Sequence, residues 1–380
     1  MARKSPVLFA AVLATTFTLM LPARSKAETN SNVATGAVFV MTNAADKNEI
    51  IAYQRSANGS LQWAGSFRTG GRGSGGTTDP LSSQGSLTLS QDHSLLFAVN
   101  AGSGDISEFQ VQGATLSLVD KVSCGGSEPV AVAQNGSLVY VVNAGGSSNV
   151  VGFRIQANGK LKQISGALAY LTTGNSGPGS VTFSPDGQFL LVTEKGTGNI
   201  DSFHVQLNGT LAPIVVTPSA GPGLFAILFA PNGAAIASET GPAGGNDASA
   251  VSSYSIAPNG KLSAISASVP TLGAATCWQT VTPDGRYLYT SNSATSTISG
   301  YAIGATGALT ALAGTIVAIN PSASTNLDIA TSADGKYLYT LDVGTGSVSV
   351  FKIAKDGSLT ALEDVEGLSA SAGFNGIAAI

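Results

Sequence analysis

Seven polar residues recur at one place in a repeated sequence pattern, and two of them are carboxylates suited to acid–base work. They are Asn43, Asn100, Asn143, Glu194, Glu239, Asn292 and Asp342; each ends a β-type run and opens a Gly- or Ser-rich loop. Strand alternation alone does not require a polar side chain there. Asn and Asp at a loop entrance can hold the turn by bonding amides two residues on. Glu does this poorly, so Glu194 and Glu239, in consecutive repeats, are the expected catalytic candidates. A partly desolvated carboxylate pair would share a proton or recruit a divalent cation, and either member could activate a water as general base. The five Asn and Asp positions are then candidate binding groups, joined by Trp278 and Gln279 at the start of a later strand. A Trp there can stack on a sugar ring or plug an opening, and plugging is the simpler role.

Other chemistries lack material. His93 and His204 lie 111 residues apart and fall on different kinds of segment, which supplies neither a paired-histidine zinc site nor a Ser–His–Asp triad. No Gly-x-Ser-x-Gly elbow occurs. The two cysteines, Cys124 and Cys277, sit three repeats apart; in a closed ring that is beyond disulfide reach, so two buried small side chains are expected. Gly-rich stretches such as Thr173 to Gly179 could cradle an anion, but they serve as tight connections more often.

The elements that position the seven polar residues are set by a Gly–Leu beat. Gly59, Gly113, Gly159, Gly209, Gly260, Gly307 and Gly357 are spaced by 54, 46, 50, 51, 47 and 50 residues. A period near fifty with strand-like content marks propeller blades. Asn-Gly or Asp-Gly pairs at most of these beats favour tight hairpin turns. A second turn recurs earlier in the repeat, as Pro185-Asp-Gly187, Pro283-Asp-Gly285 and Ala333-Asp-Gly335. Aromatic residues follow it at Phe97, Tyr140, Phe189, Tyr289 and Tyr339, where large faces could fill the wedge between blades. In the fourth repeat the spacing predicts strands over 180–184, 189–193, 200–206 and 211–217. The reading is an all-β fold: a seven-bladed propeller of four-stranded antiparallel blades. The first repeat lacks an inner strand, and the tail from Gly373 to Ala379 resembles one, so the C-terminus should join the first blade and close the ring.

Before the repeats, Arg3 and Lys4 precede the apolar run Val7 to Leu21 and the small-x-small Ser25-Lys26-Ala27. Residues 1–27 read as an export signal, leaving 28–380 as a single domain with no membrane span after cleavage. The location expected is periplasmic or extracellular. The formal net charge is −4 for the whole chain and falls to near −8 without the signal's four basic residues. No basic stripe remains for nucleic acid.

The runs Ser184-Pro-Asp-Gly-Gln-Phe-Leu-Leu-Val192, Thr282-Pro-Asp-Gly-Arg-Tyr-Leu-Tyr-Thr-Ser-Asn292 and Asp334-Gly-Lys-Tyr-Leu-Tyr339 resemble the seven-bladed lactonase family. That family includes propeller-type 6-phosphogluconolactonases and fungal carboxymuconate-lactonising enzymes. The resemblance spans the chain after the signal and implies lactone hydrolysis at the channel mouth. The family's inner-strand His falls on Gly179, and two family Arg positions fall on Ser293 and Leu327; its blade-four acid is matched by Glu194. Without the base and the phosphate-holding cations, 6-phosphogluconolactonase activity itself is not expected. Two readings follow. One is an exported hydrolase of a neutral or weakly charged lactone, with a divalent cation as an option. The other is a non-catalytic extracellular or envelope module that binds a glycan, a small ligand or a protein.

Overall fold

A computed structural model describes residues 1–2, 34–243, 245 and 247–380. The segment read as an export signal lies outside the described residues except for its first two. Among the described residues there is no helix, and 29 strands form seven separate antiparallel sheets.

Each sheet is one blade. In blade four the strands run Pro178–Phe183, Phe189–Glu194, Asn199–His204 and Val215–Pro218, from the axis outward. The expected outer strand began at Leu211; only an isolated bridge from Val205 to Leu211 forms there. Pro213 follows within two residues and has no N–H to give to a ladder, which delays the strand to Val215.

Seven inner strands succeed one another around the axis, each touching the next: Ile377–Ala379, Leu87–Leu89, Ser127–Asn135, Pro178–Phe183, Leu224–Phe229, Thr276–Val281 and Asn326–Thr331. The last segment of the chain is the inner strand of blade one, pairing Val38 with Ala379 and Val40 with Ile377. The ring is therefore closed by a strand from each end of the domain, which leaves no open inner edge.

Between blades, an aromatic from one second strand lies on the glycine turn of the next blade. The Tyr140, Tyr289 and Tyr337 hydroxyls donate to the carbonyls of Gly209, Gly357 and Ala57, at 2.7, 2.8 and 2.8 Å. The glycine is required twice over. Gly357 has φ +84°, and a Cβ there would stand 2.6 Å from the Tyr287 ring. Blade seven meets blade one through the buried Arg55, whose guanidinium bonds Asp334 at 3.2 Å and stacks over Tyr337 at 5.0 Å. Connections between blades and the loops after second strands share one face, called here the upper face. Both cysteines are buried and free.

Candidate functional site

The seven strand-end residues, Asn43, Asn100, Asn143, Glu194, Glu239, Asn292 and Asp342, are all fully buried on the upper side. Their side chains fasten connections to blades. Asn43 donates to the Gly373 carbonyl at 3.3 Å, and Asn100 accepts from Thr69 Oγ1 at 2.7 Å. Asn143 donates to the Cys124 carbonyl at 3.4 Å, and Asn292 accepts from Thr276 Oγ1 at 2.5 Å. Asp342 accepts from Asn320 at 3.1 Å and from Ser349; burial pushes its carboxyl up to about 7. These residues hold each incoming connection against its blade rather than converging on the axis.

The two Glu share no hydrogen-bond partner. Glu194 accepts from the Thr172 amide at 2.7 Å, the Thr172 hydroxyl, and Thr197 Oγ1 at 2.5 Å. Glu239 accepts from Ser219, the Gly221 amide, Ser252 and Ser268 at 3.1, 2.9, 2.7 and 2.9 Å. Glu239 also lines a cavity of about 210 Å³ with Pro222, Asp247 and Ser249. Its oxygens are occupied by these donors, which leaves little lone-pair capacity for a reacting water. Among the described residues no group of three or more His, Cys, Asp or Glu could hold a metal ion.

Trp278 and Gln279 lead to the axis. The connection between blades one and two, residues 69–86, crosses the upper mouth of the channel. Trp278 Nε1 donates to the Ser83 carbonyl at 2.9 Å, and its ring packs edge-on to Phe225, 5.0 Å between centroids. Gln84 exchanges two bonds with the Gln279 backbone, Nε2 to O at 2.6 Å and N to Oε1 at 3.2 Å. The Gln84 amide donates to the Gly179 carbonyl at 2.8 Å, and Ser83 Oγ to the Val130 carbonyl at 2.8 Å. One connection is thus tied to blades three, four and six, and it forms a floor across the mouth. Below it, a cavity of about 220 Å³ opens toward the other face, lined by Gln84, Thr88, Gln134 and Thr182.

On that floor stand groups that the repeat alignment did not single out. Half-buried Lys195 sends its ammonium to the carbonyls of Ser82 and of Pro178, the latter at 3.5 Å, and lies 5.3 Å from the Phe225 ring centre. Half-buried Asp79 accepts from Asn375 Nδ2 at 3.0 Å. Burial pushes the Asp79 carboxyl up to about 7 against the pull of the Lys195 charge, and burial lowers the Lys195 pKa. Asp328, buried behind them and bonded by the amides of Ile377 and Ile329, is pushed up to about 7 by the same cause. Desolvation and the Asp79 charge raise the Cys277 thiol, so it stays neutral and is no nucleophile. The signal in the sequence was the first interval of 54 residues, the longest of the six, with a Gly-rich insertion before Asp79.

The positions where the family carries its charged groups have other uses here. A Cβ on Gly179 would stand 2.0 Å from the Phe225 carbonyl oxygen. Ser293 Oγ donates to the Ala275 carbonyl at 3.1 Å, and Leu327 is buried in an apolar cluster.

Comparison with known proteins agrees with this architecture. The family described as "Lactonase, 7-bladed beta-propeller" matches residues 74–236 and 226–373. A proposed 6-phosphogluconolactonase from Bacteroides uniformis superposes with a TM-score of 0.68 at 20% identity, over 91% of this chain and 99% of its own. A protein from Lactobacillus plantarum gives 0.71 at 18% identity, over 91% and 99%. The periplasmic gluconolactonase PpgL of Pseudomonas aeruginosa gives 0.65 at 17%, over 90% and 99%. No curated protein matches the chain. With the family pattern covering most of its length and the seven blades in place, the chain belongs to the lactonase family of seven-bladed β-propellers.

Proposed function

We propose that the protein hydrolyses an uncharged lactone at the upper channel mouth, with Asp79 as general base and Lys195 as the group that stabilises the oxyanion. The observation that carries this reading is the pair itself: a carboxyl at about 7 within electrostatic reach of an ammonium, on the floor of the mouth. A base titrating near neutrality is matched to proton abstraction from water. Ionised Asp79 would take a proton from a water whose oxygen attacks the lactone carbonyl carbon. The negative charge that develops on the carbonyl oxygen would lie near Lys195. Collapse breaks the ring C–O bond, and the departing alkoxide recovers the proton from Asp79, giving the hydroxy acid.

The phosphorylated substrate of 6-phosphogluconolactonases is not part of this proposal. Gly179, Ser293 and Leu327 supply neither imidazole nor guanidinium to hold a phosphate. Export remains part of the proposal on the strength of residues 1–27, and N-terminal sequencing of protein recovered outside the cytoplasm should then begin near Glu28. A second reading, a binding module for a glycan, a small ligand or a protein, is favoured by the bonds that tie residues 69–86 across the axis.

Ring opening of a neutral aldonolactone and of its 6-phosphorylated counterpart, measured above the buffer rate, separates the readings. Expected is turnover of the neutral compound only, lost by about 10²-fold or more in both Asp79→Asn and Lys195→Met. A wild type no faster than buffer on a lactone panel, together with a thermal shift on a glycan, would establish the binding module instead.

A further inference from the structure

Glu194 has a neighbour that the repeat pattern did not reveal. Asp201, on the third strand of blade four, points to the same face two places along the ladder, where Val192 pairs with it and Asn199 pairs with Glu194. Both acids are fully buried, and neither Asp201 oxygen has a hydrogen-bond donor. Glu194, by contrast, is met by three donors, two from Thr172 and one from Thr197. One member of the pair is therefore equipped to be an anion and the other is not.

Four of the other blades, two, five, six and seven, show what position 201 is for. In blades five and seven the same partner of a strand-end acid is a serine: Ser252 donates to Glu239 at 2.7 Å, and Ser349 donates to Asp342. In blades two and six the strand-end residue is Asn, and Ser107 and Ser299 accept from it at 2.9 and 2.8 Å. The position facing an acid calls for a donor, and a carboxyl can donate only when it carries a proton.

We propose that Glu194 and Asp201 share one proton, held on Asp201 and donated to Glu194, and that this proton locks the connection 171–177 onto blade four. Burial and the Glu194 charge raise Asp201 to about 8, in agreement with this geometry. Among the described residues no other titratable group offsets the charge. The connection 171–177, the inner strand Pro178–Phe183 and the outer strand Val215–Pro218 carry none. Lys195 directs its ammonium to Ser82 and Pro178, and Lys261 of blade five spends its own on the Val216 carbonyl at 2.8 Å. Loss of the proton would place two buried negative charges side by side, and the cheapest relief is to release Thr172 and let water in. The Lys195 and Gly196 amides are bonded to the Gly177 and Ser176 carbonyls at 3.0 and 2.8 Å, so release would also loosen the backbone that carries Lys195. The lock holds whether the mouth hydrolyses a lactone or binds a ligand.

Hydrogen exchange of the 171–177 amides, compared at equal pH between wild type and Asp201→Ser, tests the lock without reference to activity. The serine is the residue that blades five and seven already use. The wild-type-to-variant exchange ratio should rise about tenfold from pH 7 to pH 9 as the shared proton leaves. Glu194→Gln, whose amide can donate to an ionised Asp201, should behave like the serine variant. A ratio that stays constant over this range overturns the proposal. So does protection of the wild type by 1 mM calcium that chelator reverses and that both variants lack, since the pair would then hold a cation in place of a proton.

Discussion

At the scale of single residues, the buried acids have distinct roles that their sequence positions only half disclose. Glu108 is the clearest case. It is fully buried in blade two, both its oxygens lack partners, and burial with the nearby Asp120 charge raises it to about 7. In the unfolded chain it titrates near the ordinary glutamate value. The folded state therefore holds the proton longer, and stability falls as pH rises from about 4.5 to 7. Glu108→Gln should remove that loss, leaving the variant more stable than wild type by about 1–3 kcal/mol at pH 8 and similar to it at pH 4. Urea titrations at the two pH values check this; equal differences at both would show that ionisation is not the cause. The seven strand-end polar residues were legible because they recur. Asp79, Lys195 and Asp201 were not, because each departs from the repeat; the long first interval marks an insertion before Asp79 but not what that residue meets. Their significance depends on which side chains the ring brings opposite them.

At the scale of elements, the turn glycines were readable in kind but not in reason. The Asn-Gly and Asp-Gly pairs announce positive φ, and Gly59, Gly159, Gly209, Gly260 and Gly357 all adopt it, between +76° and +94°. What the sequence does not print is that an aromatic of the preceding blade lies on several of these turns. Gly357→Ala should therefore cost more than backbone strain alone, about 2–3 kcal/mol, because the new Cβ meets the Tyr287 ring. Gly113 also has positive φ, +59°, but nothing stands within 4 Å of the place its Cβ would take, so Gly113→Ala should cost only about 1 kcal/mol. Thermal denaturation of both variants compares the two, and equal losses would remove the interlocking role of the turn. The connections were the least legible elements. Residues 69–86 carry no recurring motif, yet the bonds of Ser83 and Gln84 to three blades make that loop a floor.

At the scale of the whole molecule, closure makes the seven blades one cooperative unit. The inner strand of blade one comes from Ile377–Ala379, so deleting residues 373–380 removes that strand, the Asn375 bond to Asp79 and the Ile377 amide on Asp328. The truncated chain should lose its cooperative transition and aggregate, because blade one is left with an open inner edge and the channel with an open wall. A truncation that melts like the full chain would show that the tail is dispensable. Number of blades, strand order and tail closure were all written in the fifty-residue period, since closure of a ring leaves few alternatives once the count is fixed. The contents of the channel were not, since they arise only when residues 195 places apart, such as Ser83 and Trp278, meet across the axis.

The catalytic site proposed at the mouth of this lactonase-family propeller is built on Asp79 and Lys195. Its most direct test is the pH dependence of kcat/KM for a neutral aldonolactone, corrected for spontaneous ring opening, in wild type and Asp79→Asn. Asp79 acting as the base requires a wild-type profile that rises through about pH 7, as its carboxyl ionises, and a variant profile that lies far lower and is flat. A variant that keeps the wild-type rate and the same rise would contradict it.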